Sequence, residues 1–181
     1  FTIVASAGNE EKDGVLLDAV FYWDTINSRT EGLKIPDEVS AGAYKAATGV
    51  NSVGYNEEVN PVAEDFMKAY GGTAEVTHYE DGAMMFWTFT KDDISAVVNY
   101  AVDKSASARF EESLTALSSV CGAPVEETEN GRYFYNDETK ELTYMAVLDH
   151  AYAEIIVAGS DDMNQADLRM PLIDYKSRLG V

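Results

Sequence analysis

The chain has 181 residues, of which 46% are hydrophobic and 25% charged, with 32 Asp and Glu against 13 Lys and Arg and a formal net charge of -19. This length and composition are typical of one globular domain whose core needs neither disulfides nor a structural metal. Nucleic acid and anionic membranes are bound through basic clusters, which this sequence lacks. The charge therefore argues against both as partners, and its simplest interpretation is solubility.

Three further features limit the class of protein. Cys121 is the only cysteine, so neither an intramolecular disulfide nor a thiolate metal cluster can form. No run of 18 apolar residues occurs, which predicts a chain without membrane insertion. The sequence starts at Phe1 without an initiator methionine, so we expect an extracytoplasmic protein (secreted, periplasmic or anchored at the cell surface) from which an N-terminal segment was removed.

The first third of the chain is predicted to be helical. Between residues 15 and 27, apolar side chains recur at steps of three and four: Leu16, Ala19, Val20, Trp23 and Ile26. This spacing predicts an amphipathic helix, although the aromatic cluster within it also suits a strand. A helix of small residues is expected over 37–48. A third helix begins at Asn60–Pro61, a cap and a first-turn proline, and ends at Gly71–Gly72.

The middle of the chain predicts a β-hairpin followed by helices. Residues 73–80 and 83–90 are rich in β-branched and aromatic side chains, and the Asp81–Gly82 pair between them is typical of a type I′ turn. Thr90 has the pattern of a helix cap, and the apolar residues over 94–102 suit helical spacing, so a helix is expected from about Lys91. This helix either continues or breaks near residues 104–107 before a second helix over 108–120, with Cys121 packed inward as a small hydrophobe.

The last third predicts a second antiparallel unit. Residues 132–135 and 142–148 flank a polar turn, residues 153–158 add a third strand, and the tail is expected to break at Pro171 and finish as a short helix. Strands in hairpins and helices in blocks indicate an α+β fold: an antiparallel sheet of about five strands, in two hairpin units plus an added strand, with helices packed on one face. A single domain over 1–181 is expected, and the alternative is a helical part over 1–72 and a sheet-containing part over 73–181.

The common catalytic and nucleotide-binding motifs are absent from the sequence. It contains no Walker loop, no Gly-x-Gly-x-x-Gly, no His-Glu-x-x-His and no Gly-x-Ser-x-Gly. We therefore expect no cofactor, and a non-catalytic protein is favoured over an enzyme.

The two histidines are the remaining candidates for catalysis. His78 and Glu80 are two residues apart on a predicted strand and so point to one face, and Asp149 and His150 would join them if the two hairpins were neighbours. Two imidazoles with carboxylates suit a divalent transition metal or a general base. The alternative is that both histidines are ordinary residues near strand ends, and nothing in the sequence brings them together.

An acidic segment near the start of the chain partly resembles a calcium-binding loop. Asn9, Glu11 and Asp13 place oxygen-bearing side chains at alternate positions before Gly14. The expected bidentate glutamate is replaced by Val20, so these three residues are weak metal candidates.

The 83–90 strand carries aromatic side chains on both faces. Phe86 and Thr88 point one way, and Trp87 and Phe89 point the other. One face belongs in the core, where we expect Trp87, and the other meets a helix, a second sheet, a partner or a ligand. Burial under the N-terminal helices is favoured, and an aromatic face rimmed by acids would otherwise suit a sugar, a cationic ligand or a protein partner. Because no motif brings the histidines together, a non-catalytic extracytoplasmic binding or structural module is predicted, monomeric or weakly dimeric, for an unknown protein or small-molecule ligand. The alternative is a small hydrolase or lyase that uses a histidine with neighbouring carboxylates, with or without a metal.

Overall fold

The computed structural model describes the backbone of residues 37–181 and the side chains from residue 41 onward. The helix predicted over 15–27 lies outside the described residues. The described part contains four helices: α1 (Asp37–Thr48), α2 (Asn60–Tyr70), α3 (Ala106–Cys121) and α4 (Gln165–Leu179). It also contains eight strands: β1 (Val50–Ser52), β2 (Thr73–Tyr79), β3 (Gly82–Lys91), β4 (Ile94–Val102), β5 (Glu126–Glu127), β6 (Gly131–Asn136), β7 (Glu141–Leu148) and β8 (Ala151–Ala158).

All eight strands form one sheet in the order β1-β2-β3-β4-β8-β7-β6-β5. The β2-β3-β4 and β6-β7-β8 segments are antiparallel meanders, and the antiparallel β4–β8 pair joins them. β1 runs parallel to β2 because α2 crosses over between them. The fold is therefore α+β. The predicted number of strands, about five, was too low, and the prediction of a fully antiparallel sheet missed the edge strand β1, which is parallel to β2.

The largest error in the sequence-based prediction concerns residues 94–102, which form β4 instead of a helix. Their apolar residues suit helical spacing, but buried and partly buried positions alternate over 96–99, and three of the apolar residues are β-branched valines. Thr90, the supposed helix cap, lies in β3 opposite Ser95, and the hairpin turn that follows contains Asp92, with φ of 53°. Pairing with β3 and β8 on either side decides in favour of the strand.

The helices cover both faces of the sheet, and not one face as predicted. α2 and α4 pack on the face that carries Trp87, where Phe66 and Leu172 join the main core. α3 packs on the opposite face over β6, β7 and β8, where Phe110 contacts a smaller core containing Phe134 and Met145. The predicted hairpins and the helices α1, α2 and α3 are confirmed, but Asn60, the predicted cap of α2, is the first residue of that helix, and Val59 holds the cap position without a side-chain hydrogen bond.

The first hairpin turn and the C-terminal helix differ in detail from the prediction. The first hairpin closes at the Tyr79–Gly82 pair, so Gly82 starts β3. A Cβ at Gly82 would lie 2.0 Å from the carbonyl oxygen of Val102, so close strand approach requires the glycine there. At the C-terminus, the chain does not break at Pro171 as predicted: α4 starts at a capping box formed by Asn164 and Asp167 and continues through the proline.

The main core is organised as a row of side chains that runs across the sheet. Cross-strand pairing aligns Trp87, Val98, Ile155 and Tyr144, all of which are almost completely buried. The Trp87 indole N–H donates a 2.8 Å hydrogen bond to the carbonyl oxygen of Gly71, which ties the end of α2 to β3. Trp87 is thus a core residue, as predicted.

Among the described residues, no helix is long and apolar enough to cross a membrane.

Replacing Trp87 with alanine tests this organisation. The indole is fully buried, so Trp87→Ala should lower the free energy of unfolding by about 3 to 5 kcal/mol, a large part of an ordinary domain's stability. The matched control is Phe86→Ala, which removes the next ring along the strand from the opposite face and should cost about 1 kcal/mol. Urea denaturation measures both. Equal losses for the two variants would contradict the assignment.

Candidate functional site

His78 belongs to a polar network beneath α1 and α2. The Asn60 side chain is fully buried, and its amide N–H groups donate to the hydroxyls of Tyr44 at 3.0 Å and Ser52 at 3.2 Å. Its carbonyl oxygen accepts from the Asn56 backbone N–H at 2.8 Å and lies 3.3 Å from Nε2 of His78. These contacts satisfy all the polar atoms of Asn60, so the network fixes the loop before α2 to the sheet.

The hydrogen bond to Asn60 also orients the His78 ring. Because the Asn60 oxygen only accepts, Nε2 of His78 is the donor in this contact. Nδ1 is buried, has no hydrogen-bond partner among the described residues, and lies against Gly54, where an added Cβ would be 3.4 Å from it. A cleft of about 360 Å³ opens beside this region, lined in part by Asn51, Thr77 and His78. Nδ1 is nevertheless covered by the loop.

His150 lies in the exposed turn between β7 and β8. Its Nε2 is 2.8 Å from a carboxylate oxygen of Glu58, and its Nδ1 is 3.4 Å from Asp149. The hydrogen bonds to Glu58 and then to Asp149 raise the pKa of His150 above its ordinary value. The imidazole thus links the β7–β8 turn to the loop before α2.

The four candidate residues do not converge on one point. His78 and Ala151, the residue after His150, lie in the same row across the sheet, with β3 and β4 between them. Three strand spacings separate them, or about 14 Å. Glu80 lies in the β2–β3 turn, beyond the end of β2, and is exposed. Within residues 41–181, no group of three or more His, Cys, Asp or Glu side chains could hold a metal ion. Asn9, Glu11 and Asp13, the calcium candidates, lie outside the described residues.

A different surface stands out on the face of the sheet opposite Trp87. α3 covers this face only over β6, β7 and β8, and no helix within the described range lies over β2, β3 and β4. Phe86 is 44% exposed there. We call this surface the open sheet face, whose central side chains are Glu75, Thr77, Met84, Phe86, Val97 and Asn99.

The chemistry of the open sheet face follows from the strand register. Glu75 pairs with Phe86, Phe86 with Asn99, and Asn99 with Glu154, which forms one continuous row of four side chains. Asn99 donates a 2.9 Å hydrogen bond from its amide to the Glu154 carboxylate. Directly paired residues have Cβ atoms about 5 Å apart. An exposed aromatic ring therefore has one carboxylate directly beside it, Glu75, and a second, Glu154, one strand further on the other side, beyond Asn99.

One corner of this face is occupied by an arginine of the same chain. The Arg109 guanidinium lies 5.8 Å from the centre of the Tyr79 ring and 3.0 Å from the Asp103 carboxylate. Burial alone would raise the pKa of Asp103, but hydrogen bonds from Ser105 and Arg109 outweigh it and lower the pKa. Arg109 thus connects the start of α3 to the end of β2.

A comparison with protein-family models, curated proteins and solved structures finds no match for this chain. The site must therefore be interpreted from its own chemistry. Sequence reasoning identified Phe86 as a residue that faces away from the core, but it missed Glu75, Asn99 and Glu154. Alternation along each strand places these residues on one face, but only the register between strands brings them together.

The pairing of His150 with Glu58 predicts a pH-dependent contribution to stability. Since the pKa of His150 is higher in the folded chain than in the unfolded chain, the contribution is complete below about pH 6.5 and is lost as pH rises through the folded-state pKa. His150→Gln should therefore lower the urea midpoint in acidic buffer and leave it unchanged in alkaline buffer. Glu58→Gln should behave in the same way. A loss that does not vary with pH would exclude this ion pair as its cause.

Cys121 tests the packing of α3 on the sheet. It is partly buried at the end of α3, and burial, together with the charge of Glu141, raises the pKa of its thiol. Alkylation of the native protein at neutral pH should therefore be slower than that of a free cysteine peptide, and urea should remove the difference. Mass spectrometry over time measures the rate. Labelling at the peptide's rate in the native protein would contradict the inward placement.

Proposed function

We propose that this protein is a non-catalytic binding module that engages its ligand through the open sheet face. The observation that carries the proposal is Phe86, a large aromatic residue exposed at the centre of a sheet surface that no described helix covers. Exposed aromatic surface that neighbouring apolar side chains extend is a candidate interaction site. Met84 and Val97 beside the ring extend the apolar area, and Thr77 and Thr88 supply hydroxyls around it.

The geometry gives less support to the alternative of a hydrolase or lyase. A general base needs an accessible lone pair, whereas Nδ1 of His78 is buried against Gly54. His150 is accessible but pairs with Glu58 in an exposed turn, where no nucleophile or oxyanion site lies beside it among the described contacts. A location outside the cytoplasm stays a prediction from the sequence.

The proposal is tested by mapping ligands on the isotope-labelled protein. A panel that contains a neutral disaccharide, an apolar amphipathic peptide and a basic peptide is titrated while backbone amide resonances are recorded. At least one member should shift resonances of β2, β3 and β4, and Phe86→Ser should abolish these shifts. Ile173→Ser is the matched control, because Ile173 is 45% exposed on α4, on the other side of the sheet.

Two results would contradict the proposal. The first is that ligands shift only resonances around His78 or His150. The second is that Ile173→Ser weakens binding as much as Phe86→Ser does.

A further inference from the structure

The described arginines share a recurring environment. All four are paired with a carboxylate, and three of them also lie over an aromatic ring. Arg109 lies over Tyr79 and pairs with Asp103, Arg169 lies over Tyr133 and pairs with Glu126, and Arg178 lies over Tyr70 and pairs with Asp65. A guanidinium suits such places because its flat face stacks on a ring while its N–H groups bind a carboxylate.

Among the described residues, the row of Glu75, Phe86, Asn99 and Glu154 on the open sheet face has the same components without an arginine of its own. Phe86 supplies the ring, Glu75 on the neighbouring strand supplies one carboxylate, and Glu154 supplies a second beyond Asn99. The Asn99 amide holds the Glu154 carboxylate from the Phe86 side of the row. In β2, β3 and β4, no lysine or arginine shares this face with Phe86.

We propose that the open sheet face recognises an arginine side chain of a basic protein partner, with the guanidinium stacked on Phe86 and paired with Glu75 or Glu154. This inference rests on the proposed function and specifies the chemistry of its ligand. Arginine suits the site better than lysine because a planar group can contact the ring and a carboxylate at once. The apolar and hydroxyl side chains around Phe86 can contact the backbone of a protein partner. A small free amine has no backbone and would not make these contacts.

The overall charge favours the same kind of partner. A net charge of -19 attracts basic proteins over distances comparable to the screening length and accelerates their encounter. The row itself then supplies the specific contacts. Binding should therefore weaken with salt, but it should also depend on the identity of the side chain at position 86.

The test uses a short capped peptide of alternating arginine and serine, and the same peptide with citrulline, the neutral isostere, in place of arginine. Binding to the full chain is measured by calorimetry at low and at physiological ionic strength. The arginine peptide should bind and the citrulline peptide should bind at least about tenfold more weakly. Phe86→Leu, which keeps an apolar side chain but removes the ring, should weaken binding of the arginine peptide about two- to fivefold.

The carboxylates are tested with matched changes in charge. The double variant E75Q/E154Q should weaken binding about tenfold. E129Q/E138Q, which removes the same charge from turns in the other half of the sheet, should change it by less than about twofold. Equal effects of the two double variants would overturn the inference, because general attraction to an acidic surface would then explain binding.

Other outcomes separate this inference from the proposed function. If the citrulline peptide binds as tightly as the arginine peptide and Phe86→Ser abolishes its binding, arginine recognition is overturned. The open sheet face would then remain a binding surface. A second outcome is that neither peptide binds at the face, while the protein self-associates and Phe86→Ser abolishes the self-association. This would identify a second copy as the occupant and overturn the inference. Absence of any ligand at the face would overturn both.

Discussion

The antiparallel pairing of β4 with β8 is the constraint on which the rest of the structure depends. It joins the two meanders into one sheet, and its register places Val98 against Ile155 on the core side. The same register places Asn99 against Glu154 on the opposite side. Since side chains alternate along a strand, a slip by one residue would move carboxylates into the core and the core residues into solvent. The packed interior and the open sheet face are therefore two results of one pairing.

The fold also shows how a strongly acidic chain uses its few cations. Arg169 and Arg178 extend from α4 to carboxylates on β5 and α2, and Arg109 ties α3 to Asp103 beyond the end of β4. Lys176 lies 4.2 Å from the centre of the Tyr144 ring. Each of these contacts is weak when exposed, but together they position helices on both faces of the sheet. These four basic residues thus act between elements.

Much of this fold could be predicted from local sequence, and the remainder depended on partners distant in sequence. Hairpin turns and helix ends carry their signals within a few residues, so the helix at Asn60–Pro61, the β2–β3 hairpin and the β6-β7-β8 meander were recognised. The 94–102 segment was misassigned because its apolar residues suit two periodicities, and only β3 and β8 decide between them. Likewise, His78 was noticed for its neighbour Glu80, whereas its actual partner is Asn60, 18 residues away. The Glu75–Phe86 pair depends on register in the same way.

The open sheet face carries an apolar ring that favours contact with another surface and carboxylates that disfavour contact with a second copy of the chain. A half-exposed phenylalanine on a flat sheet invites another apolar surface, including a second copy of the chain. Two copies stacked through this face would bring Glu75 and Glu154 of each molecule near those of the other, in addition to the repulsion between two chains of charge -19. A basic partner would meet the same carboxylates with opposite charge. The residues that would bind an arginine thus disfavour self-association, so that specificity arises from the same groups as affinity.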